Sequence, residues 1–567
     1  MGSKRSFAHK DIYPDEIFLD SKNIPGFREE SFEGVIEQAI ARRTPIIMTA
    51  VFILVFLALM LRAGELQIAR GEEFFARAQD NSLRLVPLDP VRGAIYDRRG
   101  TELAWSVADG DRQVRTYSSL GGLGHLLGYV GYPTDLEVGQ GLVHDRKYGR
   151  SGIEKTLDGS LRGVLGERLI EVDSKGAAIS ESAERPPTPG DSVILTIDAE
   201  LQSKLYEVIA GLGAERGFEG GAGVALDPRT GEVLAITSWP EYDSNAMSSG
   251  DAKKIAEFAG AGQQPFFFRA VSGLYAPGSI VKPIVALAAL KEGVIDEFKQ
   301  IFSAGFISIP NPYDPEHPSV FKDWKAHGLV DMRHAITVSS DVYFYSIGGG
   351  YGDVRGLGVT RLKQYYNSFG MGEKTGIDIA GEEAGFIPSP AWKEKTFADG
   401  VWRLGDTYNM SIGQGYIQVT PIQMAVAAAT IANDGRKIVP HVLKEIKSAN
   451  GTTIVSKTGS DSGRVEADPA LFKVIREGME MAAEPGGTAQ ALAGLSVKAA
   501  GKTGTAEVGS QKKHVNSWII SFLPYDAPKF ALVIVMERGD IHNLVGAPAA
   551  ARRFLDWVTV NRPEYFK

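Results

Sequence analysis

The chain contains no cysteine among its 567 residues. That excludes disulfides, thiolate metal centres and cysteine nucleophiles in one step, and it suits a protein that folds in an oxidising space without mispairing. A basic surplus is missing as well. With a formal net charge of -8 and a pI of about 5.8, nothing suggests the positive stripe that holds nucleic acid, and no nucleic-acid partner is expected. No repeat of fixed period is evident, which argues against solenoids and propellers. Long apolar runs are nearly absent, with one exception.

That exception is residues 44–61, 18 positions without a charge. As a helix they would span ~27 Å, close to the hydrocarbon thickness of a bilayer. The run is too long for the apolar part of a signal peptide and lacks a small-x-small cleavage pattern. A single retained membrane anchor is therefore expected over residues 44–62. Arg42 and Arg43 abut its N-terminal side and favour a cytoplasmic tail of residues 1–43, although Arg62 and Arg70 beyond it weaken the asymmetry. Within the tail, Val35, Ile36, Ala39 and Ile40 fall at helical spacing, suggesting either a short amphipathic helix or a continuation of the anchor.

The remaining chain has ordinary globular composition, 44% hydrophobic and 23% charged, and its length implies two or three domains. Residues 63–81 read as helix and 83–91 as strand. Asp97-Arg98-Arg99-Gly100 reads as a turn between apolar strands. Residues 186–191, rich in proline, make a candidate linker dividing 63–190 from 191–567. Beyond it, residues 193–197 form a strand and Asp198 can cap a helix with Leu201, Leu205 and Ile209 on one face. Residues 223–236 read as a hairpin, 517–522 and 530–535 as a second strand pair, and 549–560 as a closing helix. Strands at both ends around a helical middle predict an α+β fold, an antiparallel sheet with helices on both faces. No appended C-terminal module is expected.

The chemistry is concentrated in three places. Ser279 and Lys282, three apart, would share one helix face about 5–6 Å apart at Cβ, so that the amine can take the hydroxyl proton. Pro277-Gly278 forms a turn just before them and puts Ser279 at a helix N-terminus, where backbone N–H groups favour negative charge. Ser339-Ser340-Asp341 and Lys502-Thr503-Gly504-Thr505 follow downstream. Ser-x-x-Lys, then Ser-x-Asn or Ser-x-Asp, then Lys-Thr-Gly, in that order, is the site set of penicillin-binding proteins and serine β-lactamases.

On these motifs the chain resembles a class B penicillin-binding protein, from about Arg62 to its C-terminus. Asp341 stands where the family more often has Asn, and resembles the elongation-type branch, penicillin-binding protein 2. The segments at residues 92–100 and 149–154 resemble two boxes of that family's non-catalytic pedestal, which the resemblance implies is extended and mostly β over residues 63–190. The span between the boxes is short, suggesting a trimmed head. Residues 191–567 would then be the transpeptidase domain.

The resemblance implies a peptidoglycan D,D-transpeptidase working through a serine acyl-enzyme. Ser279 would be the nucleophile, Lys282 its base, and Ser339 the bridge between Lys282 and the leaving amine. Lys502 and Thr503 would hold the substrate carboxylate. The oxyanion would sit between the N–H groups of Ser279 and Thr505, and Gly504 would leave room for the substrate backbone. A free lysine has a pKa of ~10.4, so Lys282 is expected to be neutralised by burial and a second cation such as Lys502. Two alternatives stay open: Ser340 adjoins Ser339, and Asp341 could be a helix cap. The segments 413–416 and 420–424 resemble a further family stretch beside the site, which either shapes the acceptor side or packs helices.

Some elongation-type relatives carry a zinc near the segment holding Asp314, His317, Asp323 and His327, with a cysteine among its ligands. Without cysteine or a distinctive spacing, these four read as loop polar groups, and no metal or other cofactor is expected. The implied partners are the stem peptide, lipid-linked nascent glycan and the membrane. To these the resemblance adds elongation scaffold proteins and a polytopic glycosyltransferase of the SEDS type (RodA-like), because no polymerising domain is evident. The implied location is the bacterial cytoplasmic membrane, with the catalytic domain on its outer, periplasmic side. The runner-up is a division-type transpeptidase. A β-lactamase would need a water-activating glutamate motif, and a β-lactam sensor more membrane spans; neither has support in the sequence.

Overall fold

A computed structural model describes residues 43–75, 83–109, 112–172, 178–311, 314, 316–509, 511 and 513–567. The tail over residues 1–43 that was expected to be cytoplasmic, and its suggested amphipathic helix, therefore lie outside the described residues, apart from Arg43.

The chain divides into two compact units, one formed by residues 1–86 and 168–183, the other by the rest. In the first, α1 (Arg43–Gly64) continues as a π-helical segment, Glu65–Ala69. Together they provide one helix long and apolar enough to cross a membrane, over Pro45–Ala69, a longer span than the residues 44–62 expected. Its side chains are almost all exposed, as a lipid-facing helix requires. Arg62 pairs with Glu65 at 2.5 Å, just beyond the apolar stretch. The helix then resumes over residues 71–75. A three-stranded sheet, in the order Leu83–Leu88, Gly166–Val172, Ala178–Arg185, supplies the β character expected of the pedestal.

The second unit is built around a five-stranded antiparallel sheet. Its strands are β1 (Gly220–Leu226), β2 (Val233–Trp239), β3 (Ala500–Val508), β4 (His514–Leu523) and β5 (Phe530–Asp540), in the order β2-β1-β5-β4-β3. Side chains alternate across a strand, and here both faces are apolar. Trp518, Ile520, Phe522, Val533 and Val535 enter one core with α5 (Pro421–Ala432) and α3 (Lys282–Lys291). Ile519, Ile534 and Met536 enter a second core with α2 (Ala199–Arg216) and α6 (Ala547–Asn561). Asp198 caps α2, its carboxylate accepting from Glu200 N and Leu201 N. Pairing across the sheet is continuous, with β2 and β3 as its two edge strands.

A second, six-stranded sheet contains the first pedestal box. Ile95–Tyr96 pairs antiparallel with Glu102–Asp109 across the turn at residues 97–100, and parallel with Ser192–Leu195. The latter pairs in turn with Leu443–Lys447 from far downstream. The proline-rich stretch expected to be a linker is instead fastened down. Val164 and Thr188 exchange two backbone hydrogen bonds of 3.0 Å, Gly190 N donates to Val91 O, and Asp191 N donates to Ser160 O. Proline removes donors but leaves carbonyls, and the non-proline residues between supply the N–H groups. The two pedestal boxes meet around Glu154, whose side chain is wholly buried and accepts from Arg92 Nε and Arg115 Nε, each at 2.6 Å.

Candidate active site

Ser279 lies in a 3-10 turn, Gly278–Val281, that runs directly into α3 at Lys282. Pro283 stands in the first turn of α3, where its missing N–H costs nothing. The turn is held from three directions. Gly278 N donates to Gly413 O at 2.8 Å, Trp518 Nε1 donates to Ala276 O at 3.1 Å, and Tyr275 exchanges backbone bonds with Val419. Gln414 Nε2 also donates to Thr505 O at 3.3 Å. The segment at residues 413–416, expected beside the site, therefore ties the serine turn to strand β3; Trp518 escaped notice as a site residue because its partner is remote in sequence.

Lys282 is wholly buried. Its Nζ donates to Ser339 O at 2.7 Å, Ser339 Oγ at 3.2 Å and Asp341 Oδ1 at 2.6 Å, which matches the three donors of an ammonium. The ring of Phe344 lies 5.3 Å from the same nitrogen. From the sheet side Lys502 Nζ, also buried, donates to Ser339 Oγ at 2.8 Å and Thr503 O at 2.9 Å. One serine hydroxyl thus sits between two amines. Burial, and then the neighbouring Lys282, hold the Lys502 amine well below its ordinary value, with Asp341 opposing. Asp341 ion-pairs with Lys282 at 2.6 Å, whereas the Lys502 amine rests on a hydroxyl and a backbone carbonyl.

The structure separates the two adjacent serines. Ser340 caps α4 (Asp341–Gly349), accepting from Tyr343 N, and its Oγ donates to Asp323 Oδ2 at 2.8 Å. Ser339 faces the amines. Asp341 is not the cap; it holds Lys282. Ser339 reaches its position with φ +59°, a left-handed backbone that costs a residue with a Cβ roughly 1–2 kcal/mol.

Gly504 differs from its expected role. A Cβ there would point at the serine turn and meet Pro277 O at 2.7 Å and Ile280 Cγ2 at 3.0 Å. Glycine lets β3 approach Ser279, and the gap it leaves is already filled by protein. Thr503 is half-buried and Thr505 exposed, on the opposite side of the strand from Lys502 and Gly504.

The four residues considered for zinc do not form one set. His317 pairs with Asp314 at the surface, Nδ1 3.0 Å from Oδ2. Asp323 and His327 form a separate buried pair, 3.4 Å apart. Among the described residues no three of His, Cys, Asp or Glu gather where a metal could be held, so these four do not fit the ion.

Comparison with known families gives two matches: the penicillin-binding protein transpeptidase domain over residues 221–556 and the penicillin-binding protein dimerisation domain over residues 106–195. The peptidoglycan D,D-transpeptidase MrdA of Acinetobacter baumannii is 30% identical, over 93% of this chain and 89% of its own length. Penicillin-binding protein 2 of Pseudomonas aeruginosa, solved in complex with WCK 5153, superposes with a TM-score of 0.70. It is 32% identical, over 85% of this chain and 98% of that one. A chain from a peptidoglycan synthase complex, described as coordinating polymerization and crosslinking, gives 0.70 at 28% identity over 90% and 98%. Motif order, buried two-lysine site and both domain matches agree: this chain belongs to the penicillin-binding proteins, in the transpeptidase line that resembles penicillin-binding protein 2.

Proposed function

We propose that this chain is a peptidoglycan D,D-transpeptidase of cell-wall elongation. The observation that carries the reading is the Ser339 hydroxyl suspended between Lys502 and Lys282, the lysine one turn on from Ser279. Ser279 Oγ attacks the carbonyl of the penultimate D-alanine of a stem peptide. Its proton passes to Lys282 as Lys282 gives one to Ser339 and Ser339 gives one to the depressed amine of Lys502. The oxyanion lies against backbone N–H groups of Ser279 and Thr505, each such donor typically contributing ~3–4 kcal/mol. The same relay, reversed, protonates the leaving D-alanine amine, and the Ser279 ester remains. The amine of a second stem peptide then attacks that ester, forming the cross-link and returning the proton to Ser279. Thr503, with Lys502 once protonated, holds the terminal carboxylate. Gly504 serves by letting the strand close on the serine turn.

The helix over Pro45–Ala69 supports a single membrane anchor, and Arg42 and Arg43 before it favour an outward, periplasmic catalytic unit. Likeness to a chain of a peptidoglycan synthase complex supports a polytopic SEDS-type glycosyltransferase as the supplier of nascent glycan; elongation scaffold proteins are the further proposed partners. The test is reconstitution with a glycan polymerase and lipid-linked precursor. Cross-linked muropeptides and one D-alanine released per cross-link are expected, and hydrolysis without cross-linking would contradict the reading. In cells, depletion should give round forms, whereas filaments would favour the division role.

A further inference from the structure

Ser339 occupies a backbone conformation that persists only where its surroundings over-determine it. Besides the two lysines, the surroundings include two consecutive residues outside all three motifs, Asp323 and Trp324, in the loop between strands Ser319–Lys322 and Gly328–Val330. Trp324 Nε1 donates to Val338 O at 3.2 Å, immediately before Ser339. The Asp323 carboxylate, wholly buried, accepts from Ser340 Oγ at 2.8 Å and Val342 N at 3.0 Å, immediately after it. The remaining contacts fix the carboxylate itself: Ser303 Oγ at 3.2 Å, Trp324 N at 2.8 Å and His327 Nε2 at 3.4 Å. Backbone bonds from Asp323 N to Gly305 O and His327 N to Ser303 O anchor the loop.

We propose that Asp323 and Trp324 are positioning residues of the transpeptidase reaction: a two-point clamp that holds residues 338–342 so that the Ser339 hydroxyl stays between Lys282 and Lys502. The clamp rests on the proposed reading of that hydroxyl as proton relay. It acts through Ser339 and touches no reacting atom. A carboxylate at the N-terminus of α4 also suits the positive end of that helix.

Full-length Asp323→Asn, Trp324→Phe and Ser340→Ala proteins, in detergent, are mixed rapidly with a fluorescent penicillin. Three quantities are read: the labelled fraction, the affinity before reaction and the acylation rate constant per labelled site. The clamp requires the rate constant to fall about tenfold or more in Asp323→Asn and Trp324→Phe, with affinity changed by less than about twofold. A lower labelled fraction with the wild-type rate constant would mean that these residues only support folding, and would overturn the proposal. Should Asp323→Asn fail to fold, Trp324→Phe decides it, since it removes the single hydrogen bond to Val338 O. Ser340→Ala, which removes both the bond to Asp323 and the cap on Tyr343 N, should slow acylation in the same way. Failure of the wild-type chain to be labelled at Ser279 would sink the transpeptidase reading instead.

Discussion

Lys502 is the residue in which stability and activity oppose each other most directly. Its amine is buried and held well below its ordinary value by burial and by Lys282. The unfolded chain therefore binds a proton that the folded site releases, and folding is opposed at every pH below the ordinary lysine range; stability rises as pH climbs toward that range. Lys502→Met, which removes the amine, should raise the unfolding free energy by about 1 kcal/mol while abolishing acylation, as denaturant titration and penicillin labelling would report. Acylation by the wild-type chain should decline on the acid side, where Lys502 takes up its proton and can no longer accept one. Lys502→Arg, permanently charged, should lose about 100-fold or more in acylation rate across the whole pH range; a wild-type profile would contradict the relay.

At the scale of elements, the approach of strand β3 to the serine turn depends on residues without side chains. Gly504→Ala places a Cβ 2.7 Å from Pro277 O, so strand or turn must move. The expected cost is about 2–3 kcal/mol in stability, with acylation slowed at least about tenfold, measurable by thermal unfolding and stopped-flow labelling. What could be read in advance follows the range of the interaction. The alternation of Trp518, Ile520 and Phe522 against Ile519 is local, and it announced a strand. Ser279-x-x-Lys282 is local too, and its neighbours in the motif set were recognisable by resemblance. Asp323 to Ser340 spans 17 residues, and the approach of Gly413 to Gly278 more than a hundred. Such pairings follow from the packed fold and carry no periodicity. Asp323 attracted attention as a possible metal ligand because acids near histidines look alike in sequence, whether they bind an ion or cap a helix. The left-handed backbone of Ser339 was equally hidden, since serine carries no positional signal for φ above zero.

At the scale of the whole molecule, α1 and the catalytic sheet solve different problems. The anchor is apolar and exposed along its length, whereas each face of the catalytic sheet has a core of its own. A chain beginning at residue 76 should consequently leave the membrane fraction and retain the acylation rate within about threefold, as centrifugation and labelling would establish. The pedestal boxes carry their own test. Glu154 is buried between two arginines, and Glu154→Gln strips Arg115 of its carboxylate while Arg92 keeps Asp158 at 2.8 Å, at an expected cost of about 3–5 kcal/mol seen in denaturant unfolding, with little effect on the rate per folded molecule.

The central claim is that Ser279 becomes the acyl-enzyme. Intact-protein mass spectrometry after incubation with benzylpenicillin, followed by peptide mapping, tests it most directly. One adduct per chain on the peptide containing Ser279, absent from Ser279→Ala, is the expected result. An adduct on another residue, or labelling that survives Ser279→Ala, would contradict it.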